Sequence, residues 1–345
     1  TKLACAEMIR CGTTCFADMY YYEEAVADAA AQAGMRAVCA QSILKFPTPD
    51  ARSYDKGLQL ARDFIARWKG HELVVPAVGP HASFTSTPEM LQACAELALE
   101  YDVPLHMHIG ETADEVKEHR QEYGMPVVPW VKKQGIFEAK VTAAHCVHLD
   151  DGELQTLLHH DVGVAHNPTS NLKLGSGFAP VAKMLDLGLN VAVGTDGPAS
   201  NNDLDMFEEM RLAALLAKGV TQNPTAVPAR QALAMATSMG ARALHIDHLT
   251  GSLETGKRAD VAVVDLGGIH MSPKFRRDSD YVYSLLVYAG HSTDVRHVLC
   301  NGRWLMRDRD VETVDAEALQ LQADVVARKI NQFLIEREES VLSKL

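Results

Sequence analysis

The stretch LHMHIGET, residues 105–112, brings three side chains with acid–base or metal-binding chemistry close together in the chain. Side chains alternate along a strand, so His106 and His108 share one face, and a pair of this kind can chelate one metal ion. The pair can equally consist of one ligand and one packing residue. Glu111 follows where a strand would end, and a carboxylate there can move protons for a metal-activated water.

The same residue types recur where other strands are predicted to end, at His81, His145, His166, Asn167 and Asp196. A lone histidine at a strand end is more often a hydrogen-bonded core or rim residue than a ligand. An aspartate before glycine also fits a turn or a helix cap. The set as a whole favours a metal site, because zinc takes histidine nitrogen and carboxylate oxygen and keeps a position open for water in catalytic sites. The residues that match this description are His108, Glu111, His145 and Asp196.

Short apolar, β-rich runs alternate along the chain with amphipathic stretches of helical length. This alternation is typical of parallel βα units, and in a parallel barrel the chemistry collects at the C-terminal ends of the strands. Seven strands are predicted, at 13–19, 35–41, 73–79, 104–110, 141–146, 162–167 and 189–195.

Helices are predicted between these strands and after the last one. The clearest are 23–34, which ends on a glycine, and 87–102, which begins with a threonine cap followed by proline. Two further helices are predicted after the last strand, within 205–219 and 227–244.

The predicted fold is α/β, a (β/α)8 TIM-type barrel that is one strand short, because a closed barrel needs eight strands and seven are found. Residues 1–247 are assigned to this barrel. Residues 248–345 are assigned to short strands, with a tight turn at Asn301-Gly302, and to a terminal helix from Ala316 to Leu342.

Composition excludes several classes of function. The chain of 345 residues has 33 Lys+Arg against 45 Asp+Glu, a net charge of −12, and it has no long basic run, so nucleic acid is not an expected partner. No apolar stretch is long enough to span a bilayer, so no membrane partner is expected. The seven cysteines are odd in number and lack a C-x-x-C pair, which indicates a reducing, cytoplasmic setting.

The chain resembles the amidohydrolase superfamily, and within it the 5′-methylthioadenosine/S-adenosylhomocysteine deaminases. The resemblance covers nearly the whole chain through the blocks AEMIRCGTTCFADMY, VGPHASFT, HMHIGET, AAHCVHL, AHNPTSNLKLGSGFAPV, GTDGPASNNDLDMFEEMRLAALLAKG and GSLETGKRADVAVVDL. It implies one Zn²⁺ per subunit, or another divalent transition metal, a small-molecule nucleoside substrate and a homo-oligomer.

Motif by motif, the resemblance also implies roles at the reacting centre. His108 and Asp196 are expected to bind the metal, and Asp196 to help deprotonate the water. Glu111 is expected to shuttle the proton and to contact the substrate ring. His145 is expected to orient the water without binding the metal, while His106 falls where no chemistry is assigned.

Substrate contacts follow from the same resemblance. His81 is expected near the ribose and Ser200 near the purine edge. Gln41 stands where some relatives that bind S-adenosylhomocysteine have an arginine for the amino-acid carboxylate, and Arg52 is a loosely placed candidate for a second such contact. The preferred adenosine derivative is therefore left open.

One departure from the family pattern concerns the metal ligands. Relatives carry a zinc-binding His-x-His pair on the first barrel strand, and no such pair occurs before residue 81. This agrees with the strand count, so the resemblance implies that the barrel of residues 1–247 lacks its first βα unit, and we expect both the strand and the pair upstream of Thr1. It also implies that residues 248–345 contain the C-terminal part of a small β-sandwich. In the alternative interpretation His106 and His108 are that pair, but three strand patterns precede them.

The expected reaction is hydrolytic deamination of a 6-aminopurine nucleoside, such as 5′-methylthioadenosine, S-adenosylhomocysteine or adenosine, to the inosyl product and ammonia. One alternative is a related hydrolase acting on another heteroaromatic ring, such as an s-triazine, guanine or cytosine, because one scaffold hosts many reactions. A second alternative, of a different class, is an inactive truncated barrel with a binding or structural role.

Overall fold

The computed structural model describes residues 1–275 and 279–342. Seven strands form one parallel sheet in sequence order, with β1 and β7 at its edges. Their bounds are β1 Cys15–Tyr20, β2 Arg36–Ile43, β3 Val74–Pro80, β4 Leu105–Ile109, β5 Val141–His145, β6 Gly163–His166 and β7 Val191–Val193. Every predicted strand is confirmed, and three of them precede the strand that carries His106 and His108.

Helices connect successive strands and continue after β7. Their bounds are α1 Lys2–Arg10, α2 Glu23–Ala33, α3 Tyr54–Trp68, α4 Pro88–Tyr101, α5 Ala113–Tyr123, α6 Val127–Lys133, α7 Asp151–His159, α8 Pro168–Lys173, α9 Val181–Leu187, α10 Met206–Thr221, α11 Ala229–Met235, α12 Ser238–Ala243, α13 Tyr281–Ser284 and α14 Ala316–Leu342. The predicted caps are confirmed: α2 ends on left-handed Gly34, and the hydroxyl of Thr87 accepts from the Met90 N–H.

The helix predicted within 227–244 is in fact two helices, α11 and α12. The backbone breaks at Thr237, where φ is −133° and ψ is −100°. The Thr237 hydroxyl donates to the Leu233 carbonyl at 2.8 Å, and side-chain bonds of this kind compete with the helical backbone. The single-helix prediction was therefore wrong at this residue.

The segment around α12 fills the N-terminal end of the barrel interior. Ala241 and Ile246 pack against inward side chains of β2 and β3. The Thr142 hydroxyl, at the start of β5, donates to the Ala243 carbonyl at 2.7 Å. This end of the sheet is closed by packing, which leaves the opposite, C-terminal end for polar residues.

A second sheet lies C-terminal to the barrel. It is antiparallel and has the order β11-β10-β9-β8, with bounds β8 Val261–Val264, β9 Val295–Cys300, β10 Arg303–Arg307 and β11 Asp310–Val311. Asn301 and Gly302 both have positive φ, 50° and 76°, between β9 and β10. Positive φ at both central residues is what a type I′ hairpin turn requires, so the predicted turn is confirmed.

A buried ion pair ties the two sheets together. Arg36 on β2 binds Asp260, which precedes β8, through Nε–Oδ2 at 2.7 Å and Nη2–Oδ1 at 3.1 Å. Both side chains are 1% exposed. The Asn301 N–H also donates to Asp260 Oδ1, at 2.7 Å. The hairpin turn, the small sheet and the barrel therefore meet at one carboxylate.

The terminal helix α14 occupies its predicted bounds. It contacts α1, and its side chains are exposed throughout 324–337. Neither α14 nor any other helix in the described ranges is both long and apolar enough to cross a membrane.

The cysteines are all free thiols, and five of the seven are buried. Most of them therefore belong to the core.

Candidate active site

Strand β4 presents alternate side chains to the two sides of the sheet. Leu105, Met107 and Ile109 are buried in the core beneath the helices, whereas His106 and His108 are half-buried on the other face. The two imidazole rings are stacked, with centroids 6.2 Å apart. The prediction that both histidines share one face of the strand is confirmed.

The His108 ring is held in one orientation and one tautomer. Its Nδ1 lies 2.8 Å from the His81 carbonyl oxygen, which can only accept, so Nδ1 carries the proton and Nε2 keeps its lone pair. A backbone carbonyl that fixes one ring nitrogen is typical of histidines whose other nitrogen binds a metal. Burial, followed by the neighbouring His145, lowers the pKa of His108, which favours the neutral form that metals bind.

His145 reaches the inner face because the backbone bends at the end of β5. In the parallel register it pairs with Ile109, whose side chain faces the helices. Positive φ values of 71° at His145 and 49° at Cys146 break this alternation. Left-handed backbone at residues other than glycine costs roughly 1–3 kcal/mol and clusters at functional sites. As a result, the His145 ring stacks on His108, with centroids 5.4 Å apart.

Glu111 and His145 face each other across a short gap. His145 Nδ1 lies 2.9 Å from Asn171 Oδ1, so its proton is on that side and Nε2 points towards Glu111. Nε2 and Glu111 Oε2 are 3.8 Å apart, beyond direct hydrogen-bond distance, and a water or a polar substrate atom can bridge such a gap. The His145 side chain is 2% exposed and that of Glu111 is 25% exposed. The pair is therefore open to solvent on the Glu111 side.

Asp196, beyond the end of β7, is a turn residue whose carboxylate is held by two hydrogen bonds. It has φ 60°, and its Oδ1 accepts from the Gly197 N–H at 2.6 Å. Its Oδ2 accepts from the Ser170 hydroxyl at 2.7 Å. Its charge raises the pKa of His106 and of His108 against the larger, lowering effect of burial. Asp196 therefore shares the electrostatic environment of these two rings.

The loop that carries Asp196 is supported from below by a buried polar network. Asn201 Nδ2 donates to the Thr195 carbonyl at 2.9 Å and to Glu209 Oε1 at 2.7 Å. Glu209 is fully buried, and burial raises its pKa to about 7. Ser200 lies within this loop, where its N–H donates to the Gly197 carbonyl at 2.9 Å.

The other predicted substrate residues are placed differently. His81 joins the cluster, with its ring centroid 4.7 Å from that of His108, and burial followed by His108 lowers its pKa to about 4. Gln41 is buried and donates to Asp50 Oδ2 at 3.0 Å. Arg52 is exposed and forms no hydrogen bond or ion pair within the described ranges.

His166 does not join the site, although it ends a strand as the others do. It shares a side of β6 with Val164, which belongs to the core beneath the helices, and it lines a cavity of about 160 Å³ next to α9 and α10. Its Nδ1 is buried and unpartnered among the described residues, and burial lowers its pKa to about 3. Without a backbone bend such as that at His145, regular alternation points this ring away from the site.

Sequence reasoning missed several supporting residues, namely Asn171 beside His145, Ser170 beside Asp196, and Glu115 beneath Glu111. Only the last had a sequence signal. The spacing Thr-x-x-Glu from residue 112 matches a helix capping box and follows directly on Glu111.

His108 and Asp196 carry an imidazole nitrogen and carboxylate oxygens, which are atom types that zinc takes as ligands. Within residues 1–275 and 279–342, no group of three or more His, Cys, Asp or Glu side chains is placed to hold a metal ion by itself.

The chain belongs to the amidohydrolase family, whose family model matches residues 1–305. A 5-methylthioadenosine/S-adenosylhomocysteine deaminase from Syntrophobacter fumaroxidans is 44% identical over 330 residues, which are 96% of this chain and 74% of the relative. One from Moorella thermoacetica is 46% identical over 322 residues, 93% of this chain and 74% of the relative. Within the amidohydrolases the chain therefore belongs to the 5-methylthioadenosine/S-adenosylhomocysteine deaminases, as its motifs predicted.

Solved structures agree with this assignment. An adenosine deaminase from Xanthomonas campestris with bound zinc has a TM-score of 0.92 at 36% identity, covering 96% of this chain and 74% of that one. An atrazine chlorohydrolase from Arthrobacter aurescens, complexed with zinc, has a TM-score of 0.86 at 27% identity, covering 94% and 75%. The predicted fold class, a TIM-type barrel with one strand absent plus part of a small sheet and a terminal helix, is confirmed.

Proposed function

We propose that this chain carries out zinc-dependent hydrolytic deamination of a 6-aminopurine nucleoside, giving the inosyl product and ammonia. The observation that carries the proposal is the convergence of Glu111, His145 and His108 at the C-terminal ends of β4 and β5. Relatives 44% and 46% identical to this chain are named as deaminases of 5-methylthioadenosine and S-adenosylhomocysteine.

The donor set fits zinc in its chemistry. His108 offers Nε2 because its Nδ1 is held by the His81 carbonyl, and Asp196 offers a carboxylate. A catalytic zinc usually takes three protein ligands, so His108 and Asp196 would be part of its set. When bound, zinc would lower the pKa of a water to about 7 and so supply a nucleophile near neutral pH.

Glu111 performs the proton transfers in this proposal. Its carboxylate takes a proton from the attacking water and delivers it to the ring nitrogen beside C6 as the water oxygen bonds to C6. The C6–amine bond then breaks, and the amine leaves as ammonia with the second proton of the water. Both transfers need hydrogen-bond reach from one carboxylate to water and ring, which the half-buried, solvent-facing position of Glu111 allows.

His145 orients the water. Because its Nδ1 proton is committed to Asn171, its Nε2 lone pair can accept a hydrogen bond from the water opposite Glu111. Its buried, backbone-fixed ring holds this acceptor in place while the nucleophile forms.

Substrate contacts complete the proposal. His81 lies beside His108 and is proposed to bind the ribose, and Ser200, in the Asp196 loop, the purine edge. Arg52 is proposed to bind the amino-acid carboxylate of S-adenosylhomocysteine. Its β2–α3 loop is joined to the loop that follows His81, because the Lys45 N–H donates to the Thr85 carbonyl at 2.8 Å.

Ammonia release from a substrate panel tests the proposed reaction. The zinc-loaded protein is expected to deaminate adenosine, 5′-methylthioadenosine or S-adenosylhomocysteine, and to leave guanine and a chlorotriazine unchanged. Chloride release from the triazine, or turnover of guanine, would favour a hydrolase of another heteroaromatic ring. Absence of turnover with every compound would favour the inactive barrel.

Metal content tests the ligand assignment independently of turnover. His108→Ala is expected to lower bound zinc severalfold after loading and dialysis, because it removes a donor nitrogen. His106→Ala is the matched control, since that ring lies on the same strand face and is expected to leave zinc content unchanged. Elemental analysis of both variants decides the point, and equal losses would refute the assignment of His108 as ligand and His106 as non-ligand.

A further inference from the structure

Glu115, in the first turn of α5, directs its carboxylate back towards the residue proposed to shuttle protons. It is buried, and its Oε2 accepts from the Glu111 N–H at 2.8 Å. Its Oε1 accepts from the Gly110 N–H at 3.3 Å. One carboxylate therefore binds the two consecutive amides of the peptide segment from which Glu111 projects.

This arrangement differs from an ordinary helix cap. In a capping box the carboxylate of the third helical residue bonds the N–H of the cap residue itself. Here the Thr112 hydroxyl accepts from the Glu115 N–H at 3.1 Å, as in a capping box, but the carboxylate reaches one and two residues further back. Capping of α5 alone does not require these two bonds.

The same chain carries an ordinary capping box for comparison. At the start of α7, Glu153 Oε2 accepts from the Asp150 N–H at 3.0 Å, and Asp150 Oδ1 accepts from the Glu153 N–H at 3.0 Å. Glu153 is buried too, and its Oε1 accepts from a second backbone amide, Val128 N–H, at 3.2 Å. It matches Glu115 in residue type, burial, helix position and number of backbone bonds, but its bonds lead away from the site.

Gly110, whose N–H is bound by Glu115, also forms hydrogen bonds with the residues that follow β5. Its carbonyl accepts from the Val147 N–H at 3.0 Å and from the His148 N–H at 2.9 Å. The Ile109 carbonyl accepts from the Cys146 N–H at 3.0 Å. These bonds hold the bend that turns His145 into the site, so the Gly110 peptide is joined to both sides of the Glu111–His145 gap.

A third strand end is joined as well. The Ser83 hydroxyl, two residues after His81, donates to Glu115 Oε1 at 3.4 Å. The Glu115 carboxylate thus lies beneath the segments that carry His81, Glu111 and His145.

We propose that Glu115 is a positioning residue that sets the distance between the Glu111 carboxylate and the His145 ring. This inference rests on the proposed function, because that gap matters for catalysis only if Glu111 and His145 act on the same water. Glu115 itself contacts neither substrate nor metal.

Glu115→Gln and Glu153→Gln form a matched pair for the test. Each change replaces one carboxylate oxygen by a donor that faces a backbone N–H, so both variants are expected to melt at lower temperature. Only Glu115→Gln is expected to lower kcat, by about 10- to 100-fold, since small misplacements of catalytic groups have effects of that size. KM is expected to change by less than about twofold, because the lost interaction matters in the transition state.

Hydrogen exchange supplies a readout besides turnover. In Glu115→Gln the amides of Gly110 and Glu111 are expected to exchange faster than in the wild type, and in Glu153→Gln they are expected to keep their protection. If the glutamine variant does not fold, Glu115→Asp takes its place, since it keeps the charge and withdraws the carboxylate by one methylene.

Two results would overturn the inference. One is an unchanged kcat in Glu115→Gln despite faster exchange at Glu111. The other is an equal loss of kcat in both variants, which would reduce the effect to general stability. A wild-type protein that releases no ammonia would instead refute the proposed function, so the two failures are distinguishable.

Discussion

Replacing Glu111 by glutamine is expected to lower kcat for ammonia release by about 10³- to 10⁴-fold. Glutamine has nearly the same shape but can neither take a proton from water nor deliver one to the ring, and general acid–base catalysis contributes on the order of 10²- to 10⁴-fold. The upper part of that range applies because one carboxylate serves both transfers. Zinc content and nucleoside binding, measured by elemental analysis and titration calorimetry, are expected to stay near wild-type values.

Glu118→Gln is the control for this change. Glu118 lies on α5, the helix that begins two residues after Glu111, is exposed, and undergoes the same chemical substitution. Its kcat is expected to match the wild type. Near-normal turnover in Glu111→Gln would remove Glu111 from the mechanism and with it the main support for hydrolytic deamination through this pair.

Asp260→Ala is expected to lower the free energy of unfolding by about 3–5 kcal/mol, the usual effect of breaking a buried ion pair from one side. The change leaves the Arg36 guanidinium buried without its partner and the Asn301 N–H without its acceptor. Urea denaturation followed by circular dichroism measures the loss. Glu100→Ala, which breaks the exposed pair of Arg62 and Glu100, is the control and is expected to leave stability close to that of the wild type.

The Asp260 contribution also has a defined pH dependence. Burial raises the pKa of this carboxyl, but hydrogen bonds from Arg36 and the Asn301 N–H outweigh burial and leave the pKa lowered. A lowered pKa means that the pair stabilises the fold above the usual aspartate value of about 3.9 and is lost as the pH falls through the folded value. The stabilities of wild type and Asp260→Ala should therefore converge only in strong acid. A difference in stability that persists undiminished through strong acid would contradict this role of the carboxylate.

Much of the site follows from periodicity. Alternation along β4 places His106 and His108 on one face, and a parallel sheet brings the ends of β3, β4 and β5 together. These two rules predict from sequence alone that His81, His108 and Glu111 lie close together, because both rules depend only on which segments are strands.

His145 and His166 show where periodicity ends. Both stand last in a strand, and by alternation both would face the helices. Only His145 turns inward, because its backbone and that of Cys146 take left-handed conformations, which a sequence without glycine there does not signal. The motif AAHCVH gave His145 its role through the family resemblance, whereas its place at a strand end is one that His166 shares.

Helix boundaries and supporting contacts were missed for a related reason. The bond from the Thr237 hydroxyl to the Leu233 carbonyl accompanies the break between α11 and α12, but threonine also occurs inside helices, so the sequence does not mark the break. The hydrogen bond between Asn171 on α8 and His145 at the end of β5 joins residues 26 positions apart. Local patterns contain neither. Glu115 is intermediate, since its capping-box spacing is visible but the reach of its carboxylate to Glu111 is not.

The left-handed bends at His145 and Asp196 limit how this chemistry can be transplanted. A protein engineer who copied only the side-chain identities onto a barrel with regular strand ends would place the imidazole of His145 among the helices. A transplanted site must keep each residue together with its backbone bend and the hydrogen-bond partners that hold it, which include Asn171, Gly110 and the Ser170 hydroxyl. Grafts of this active site should therefore exchange whole strand-to-helix connections instead of single amino acids.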